Sequence, residues 1–327
     1  MSFLRVEPDP AAAVAQLAAW LGGPADVRLV VETSGSSGRP KQVVLSQAAI
    51  RASVAASAAR VGGSGRWALV LPPTYVAGVQ VICRSLIAGF EPARSLADDF
   101  DFVSLVPTQL RRSLADPGAT ERLAAARTVL LGGGPVDPAL RAEAAAHGIR
   151  VVATYGSAET AGGCVYDGLP LDGVAVALAA DGRIRIGGPT LFDGYLDDQA
   201  LTDEVLVDGW FHTSDAGELD EDGRLRVLGR IDDMVISGGV KVPVTAVAAR
   251  LRSHPGAGEV EVLGLPDPEW GHEVVAFLTG PLDLDAARDW VSAEQPRTWA
   301  PRRLVRLDRI PMLPNGKVDR QRLEGLA

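Results

Sequence analysis

Arg28-Leu29-Val30-Val31-Glu32-Thr33-Ser34-Gly35-Ser36-Ser37-Gly38-Arg39-Pro40-Lys41-Gln42-Val43-Val44-Leu45 places a loop of hydroxyls and glycines, ending in a lysine, between two short apolar runs at 28–32 and 42–45. The β-branched runs predict strands. The loop suits a phosphate, because glycine lets backbone N–H groups converge on an anion, hydroxyls add donors and the terminal cation offsets charge. Its spacing is not that of the Walker A loop, whose lysine follows a glycine and precedes Ser or Thr; Lys41 follows Pro40 and precedes Gln42. Lysine is otherwise scarce. Lys and Arg together number 32, yet the lysines are Lys41, Lys241 and Lys317 alone, each in a glycine-containing loop. Lys241 follows Ser237-Gly238-Gly239-Val240, and Lys317 ends the turn Pro314-Asn315-Gly316.

Outward from this loop, β-branched runs alternate with Ala-rich stretches from residue 27 to residue 154. The pattern predicts further strands at 67–71, 102–106, 128–131 and 150–153, and helices at 46–61, 76–88, 108–114 and 137–147. That alternation reads as α/β, a mainly parallel sheet flanked by helices. Ligands of such sheets gather at the carboxyl ends of strands, where Gly132-Gly133-Gly134 and Tyr155-Gly156-Ser157 fall. After Gly168, short alternating runs broken at Asp181-Gly182, Asp208-Gly209 and Asp222-Gly223 predict a small β-rich portion. The chain turns polar and glycine-rich from Gly229 to Gly239, so a large domain at 1–229 and a small α+β domain at 230–327 are expected. In the latter, helices are expected at 244–253 and 284–291 and strands at 259–265 and 274–278.

With 327 residues, 47% of them hydrophobic, the chain can bury real cores. A net charge of −9 argues against a nucleic-acid or anionic-membrane surface, which needs a broad basic field. Any phosphate must be handled locally. Cys83 and Cys164 are too few for a disulfide framework, which fits a reducing cytoplasm. No signal peptide is expected, and the apolar stretch from Trp67 to Cys83 is broken by Pro72-Pro73, so no membrane insertion is expected. His147, His212, His254 and His272 are scattered, outside any zinc or nucleophile-elbow pattern. The oligomeric state, a homo-oligomer included, stays open.

Five motifs follow in order: the loop ending at Lys41; Tyr155-Gly156-Ser157-Ala158-Glu159-Thr160; Gly209-Trp210-Phe211-His212-Thr213-Ser214-Asp215; Gly229-Arg230-Ile231-Asp232-Asp233; and Pro314-Asn315-Gly316-Lys317. From about Arg28 to its end the chain resembles the adenylate-forming superfamily of acyl-CoA synthetases, peptide-synthetase adenylation domains and luciferases. Within it, Ser104-Leu105-Val106-Pro107-Thr108-Gln109-Leu110, Leu131-Gly132-Gly133-Gly134-Pro135 and the narrower Gly162-Gly163-Cys164-Val165-Tyr166-Asp167-Gly168-Leu169-Pro170-Leu171-Asp172-Gly173 resemble the short actinobacterial o-succinylbenzoate–CoA ligases of menaquinone biosynthesis. Most superfamily members carry well over a hundred residues before the phosphate loop, so a trimmed large domain is expected.

The resemblance implies ATP, Mg²⁺ and coenzyme A as reactants or cofactors and a small carboxylic acid as substrate. It implies that Thr33, Ser34, Gly35, Ser36, Ser37, Gly38 and Lys41 cradle phosphates, with Gly132, Gly133 and Gly134 beside the nucleotide, and that Glu159 helps hold Mg²⁺. Tyr155, with Gly156 and Ser157, would face the adenine, while Asp215 and Arg230 would reach the ribose. Asp232 would be a hinge, Lys317 the adenylation lysine, and Gly238, Gly239 and Lys241 would line a thiol tunnel. Tyr75 and Gly78, within Leu71-Pro72-Pro73-Thr74-Tyr75-Val76-Ala77-Gly78-Val79-Gln80, would line the acyl pocket. Arg84, the one charged residue between Trp67 and Phe90, is the expected anchor for a second carboxylate, since a buried Arg is costly without an anion. Arg297, Arg302, Arg303 and Arg306 are candidates for coenzyme A phosphates or plain surface charge. One position departs from the pattern: Ala158 stands where the superfamily has Thr or Ser, removing a donor to the α-phosphate, with Ser157 and Thr160 as candidate substitutes.

Overall fold

The computed structural model describes residues 2–33, 41–312 and 318–327, the Asp232 side chain apart. The amino-terminal elements are β1 (Phe3–Arg5), α1 (Pro10–Gly22), β2 (Arg28–Glu32), β3 (Gln42–Leu45), α2 (Gln47–Val61), β4 (Trp67–Ala68), α3 (Val76–Ile87), β5 (Phe102–Leu105), α4 (Pro107–Leu114), α5 (Pro117–Ala125), β6 (Thr128–Leu131), α6 (Pro138–Ala146), β7 (Val151–Ser157), β8 (Gly162–Tyr166) and β9 (Leu169–Pro170). Next come β10 (Ala175–Leu178), β11 (Arg183–Gly187), β12 (Gly194–Tyr195), α7 (Gln199–Val205), β13 (Leu206–Val207), β14 (Trp210–Leu219) and β15 (Leu225–Arg230). The carboxyl-terminal elements are β16 (Met234–Ser237), β17 (Val240–Pro243), α8 (Val244–Arg252), β18 (Val260–Asp267), β19 (Gly271–Leu278), α9 (Leu284–Ser292), β20 (Arg303–Arg306) and α10 (Arg320–Glu324). By Cα proximity one compact unit comprises Met1–Ala179, Ile184–Thr213 and Leu219–Arg226, and a second comprises Ala180–Arg183, Ser214–Glu218 and Val227–Ala327.

In the first unit the parallel sheet runs β4-β5-β6-β7 and continues antiparallel through β8 and β9. Both faces are covered. Along β6, Val129 and Leu131 enter one apolar cluster with Leu110, Leu123 and Leu140, while Leu130 enters the other with Leu17, Ile50 and Ile82. That is the two-residue alternation of a strand buried on both sides. β4 stops short of the expected 67–71, because Leu69 N–H bonds the Ala93 carbonyl and Pro72-Pro73 cannot donate to a ladder. The two strands around the phosphate loop are not in this sheet, contrary to the single alternating pattern expected. β2 and β3 pair antiparallel, with β1 parallel to β2 on one side and β12 antiparallel to β3 on the other. Helix starts are set locally: Asp9 caps α1 ahead of Pro10, and Ser46 accepts the Ala49 N–H to start α2.

β10 with β11, and β13 with β14, supply the antiparallel pairs expected after Gly168. In the second unit β18 and β19 pair antiparallel, and their alternate faces bury two clusters. Val262, Val274 and Ala276 pack with Val247 and Leu251 of α8 and Val291 of α9, while Leu263, Val275 and Phe277 pack with Ile310 and Leu323. Among the described residues no helix is long and apolar enough to cross a membrane.

Candidate functional site

The carboxyl ends of β5 and β6, Leu105 and Leu131, lie level with Ala153 of β7. Beyond them run Gly132-Gly133-Gly134 and the end of β7, Tyr155 to Ser157. Both need glycine for close approach. A Cβ on Gly132 would sit 2.4 Å from Thr154 Oγ1, and one on Gly156 would sit 2.1 Å from the Gly162 carbonyl oxygen. Tyr155 packs against the larger apolar cluster.

β7 then turns through a short helical segment, Ala158–Thr160, into β8. Thr160 fixes this turn, its hydroxyl accepting the Ser157 N–H at 2.9 Å and donating to the Gly162 carbonyl at 2.7 Å. Of the two candidates for the hydroxyl missing at Ala158, Thr160 is thus engaged, whereas Ser157 Oγ is buried and has no partner among the described residues.

Glu159, 8% exposed, points its carboxylate at Tyr195, whose hydroxyl donates to Oε1 at 2.8 Å. The Phe192 N–H bonds the Glu159 carbonyl at 2.9 Å. Tyr195 ends β12, opposite Val43 of β3, and its ring lies 5.1 Å from Lys41 Nζ. Thr33 N–H bonds the Lys41 carbonyl at 2.9 Å, so the residues bracketing the phosphate loop close the β2–β3 hairpin. Ser34, Gly35, Ser36, Ser37 and Gly38 lie outside the described residues. Burial, then the Glu159 charge and hydrogen bond, raise the Tyr195 hydroxyl well above the ordinary phenol range, so it stays a protonated donor. Lys41 and Glu159 are therefore brought together through Tyr195, a residue the sequence reading missed. Its one sequence signal is an aromatic pair, Phe192 and Tyr195, around Asp193-Gly194.

Helix α3 separates the expected acyl residues. Tyr75 caps its amino end and is 47% exposed, and a Cβ on Gly78 would lie 2.1 Å from the Pro72 carbonyl oxygen. Gln80 donates to the Ala161 carbonyl at 2.6 Å. Arg84 is buried further along the same helix. Six residues and about 9 Å of helix rise beyond Gly78, its guanidinium lies 4.6 Å from the centroid of the Trp67 ring and donates to the Tyr166 hydroxyl at 3.2 Å. Trp67 opens β4 opposite Phe102 at the start of β5, while Tyr166 lies on β8 opposite Thr154 of β7, so Arg84 bridges the two strands. The cavity beside it, lined by Val54, Ala58, Gly63, Ser64 and Trp67, measures about 10 Å³, room for one water and not for an acid. Arg84 is buried and held by Trp67 and Tyr166, and its Nε has no partner among the described residues.

The segment from Gly162 to Gly173 does structural work as well. Tyr166, 1% exposed, shares its hydroxyl with Ser57 Oγ at 2.9 Å, and Asp167 pairs with Arg141 at 2.8 Å while accepting the Ala153 N–H.

In the second unit, Asp215 lies on β14 and Arg230 ends β15. Gly238 and Gly239 turn the β16–β17 hairpin with φ of 57° and 79°, and Lys241 follows on β17. Gly238 N–H bonds the Trp270 carbonyl at 2.9 Å, and a Cβ there would meet the Trp270 ring at 2.8 Å. Arg302 stacks on that ring, 3.4 Å from its centroid. Arg303 pairs with Glu273, Arg306 donates to the Pro281 and Leu282 carbonyls, and Arg297 pairs with Asp289, so these arginines already have protein partners. Asp232 falls in the short helical turn Ile231–Asp233. Lys317 lies outside the described residues.

Residues 8–196 match the family model of the AMP-binding enzyme, and residues 246–317 match that of the AMP-binding enzyme C-terminal domain. The chain belongs to the AMP-binding enzyme family. This AMP-binding enzyme is 43% identical over 322 residues to a probable 2-succinylbenzoate–CoA ligase of Mycobacterium tuberculosis, across 91% of this chain and 84% of that protein. It is 31% identical to the 2-succinylbenzoate–CoA ligase of Listeria monocytogenes, across 90% and 69%. Its fold is the adenylate-forming one. The o-succinylbenzoate CoA synthetase of Bacillus subtilis, solved with the acyl-adenylate intermediate OSB-AMP, matches at a TM-score of 0.76 and 27% identity, covering 90% of this chain and 68% of that one. Apo MatB of Rhodopseudomonas palustris, at a TM-score of 0.79 and 23% identity over 93% and 68%, shares the fold.

Proposed function

We propose that this AMP-binding enzyme is an acid–thiol ligase that activates o-succinylbenzoate with ATP and passes the acyl group to coenzyme A, as in menaquinone biosynthesis. The observation that carries the reading is the 43% identity to a 2-succinylbenzoate–CoA ligase along nearly the whole chain, together with the convergence of Lys41 and Glu159 on Tyr195. In the first step a carboxylate oxygen attacks the α-phosphorus of ATP, the bond to the departing pyrophosphate breaks and an acyl-adenylate forms. In the second the coenzyme A sulfur attacks the acyl carbon and AMP leaves with the electron pair of the broken C–O bond. Neither step needs a covalent bond to the protein, so its contribution is positioning and charge stabilisation.

In this reading Lys41 and the hydroxyls and glycines at 33–38 hold the outer phosphates, and the turns at Gly132–Gly134 and Tyr155–Ser157 border the nucleotide. Asp215 and Arg230 take the ribose hydroxyls. Lys317 meets the developing charge in the first step, Gly238, Gly239 and Lys241 line the thiol path in the second, and Asp232 is the hinge between them. Mg²⁺ fits the donor set. It takes one or two carboxylates and completes its shell with phosphate oxygens and water, and Glu159 offers one buried hard carboxylate. Among the described residues no three His, Cys, Asp or Glu converge into a cage. Bound there, Mg²⁺ would neutralise phosphate charge.

The test is incubation with ATP, Mg²⁺, coenzyme A and a panel of aromatic acids, with products identified by mass. The expected product is the o-succinylbenzoyl thioester together with AMP. Thioester from a different acid alone would displace the substrate, and no pyrophosphate release with any acid would displace the ligase.

A further inference from the structure

Tyr195 joins two groups that the proposed function needs at one place. Its hydroxyl donates to Glu159 Oε1 at 2.8 Å and its ring lies 5.1 Å from Lys41 Nζ. The tyrosine is itself held from three sides. Its strand pairs with β3, the strand that leaves the phosphate loop; its N–H donates to Thr202 Oγ1 at 2.9 Å; and its ring packs edge-on against Phe192, which in turn packs on Phe211. We infer that Tyr195 is a positioning residue that orients the Glu159 carboxylate toward the metal ion and aligns Lys41 with it, an inference that rests on the function proposed above.

A carboxylate on a short helical turn can rotate, and a hydrogen bond to one of its oxygens restrains that rotation. Here the phenol holds Oε1. The ring face toward Lys41 adds a weak attraction that restrains the ammonium group without neutralising it.

The experiment compares wild type with Tyr195→Phe, which keeps the ring and removes the hydroxyl. Mn²⁺ binding to the full chain in the presence of ATP is titrated by electron paramagnetic resonance, and AMP binding in EDTA is titrated separately. Loss of an outer-shell partner weakens metal binding by about 10- to 100-fold. The expected result is a Mn²⁺ dissociation constant raised about tenfold or more in that range, with metal-free AMP affinity kept. Unchanged Mn²⁺ affinity, or equal loss of Mn²⁺ and AMP binding, would overturn the positioning role. A wild type that binds no Mn²⁺ with ATP would overturn the proposed site, and this inference with it.

Discussion

Two buried tyrosine hydroxyls in the first unit have different partners, and they serve different purposes. On β8, opposite Thr154 of β7, Tyr166 is shared between Ser57 and Arg84, with Trp67 beneath the guanidinium and a cavity for one water beside it. It ties α2 and α3 to β8. On β12, Tyr195 donates to a carboxylate and lies under a lysine at the mouth of the phosphate loop. The first cluster holds a single charge, on Arg84. The second concentrates opposite charges around a turn whose glycines keep the backbone bare. The same residue type therefore reads as scaffold or as site according to what surrounds it.

Glu159→Gln tests the Tyr195 cluster most severely. It should lower adenylate formation, followed by ATP–pyrophosphate exchange, on the order of a hundredfold, because a neutral amide is a poor ligand for a hard cation. A loss under about threefold would remove Glu159 from metal binding. The matched change in the other cluster, Tyr166→Phe, should leave that exchange rate within about twofold but cost about 1–3 kcal/mol of stability, since Arg84 and Ser57 lose a buried partner. Denaturant unfolding measures it. If exchange instead collapsed with stability intact, the two clusters would not be distinct. Ser157→Ala should slow adenylation about tenfold, the worth of one hydrogen bond to a charged group, and adding Ala158→Thr should recover part of it. An unchanged rate for Ser157→Ala would place that hydroxyl outside the reaction.

The smallest effect is the absence of one. Burial pushes the thiols of Cys83 and Cys164 up to about 12, overriding the neighbouring charge of Arg84 at Cys83. At pH 8 the thiolate is then roughly one part in ten thousand of each. A disulfide reagent should label neither until the protein is denatured. Labelling of Cys83 in the native protein would mean that the core around α3 opens.

The strands at 28–32, 42–45 and 128–131 stand where local β-branched runs predict them, because a run of apolar residues buried on both faces is visible without knowing its partners. The family was legible for a similar reason, since its motifs are short, local and ordered along the chain. Sheet membership was not. β2 and β3 look like members of the parallel series, and only their pairing with β1 and β12, elements far apart in sequence, assigns them to a separate sheet. Arg84 shows the same limit. Its isolation among apolar neighbours correctly signals a buried charge, but whether that charge faces a ligand depends on which way α3 runs against the sheet. Tyr195 had no local signal of its role, because it lies 36 residues from Glu159 and meets it only in the folded chain. The sequence by itself determined the apolar strands and amphipathic helices whose runs are local, since those depend on neighbours a few positions away. The tertiary structure alone decided which of the buried polar groups meet, because burial costs a polar group its water and the replacement partner is drawn from anywhere in the chain.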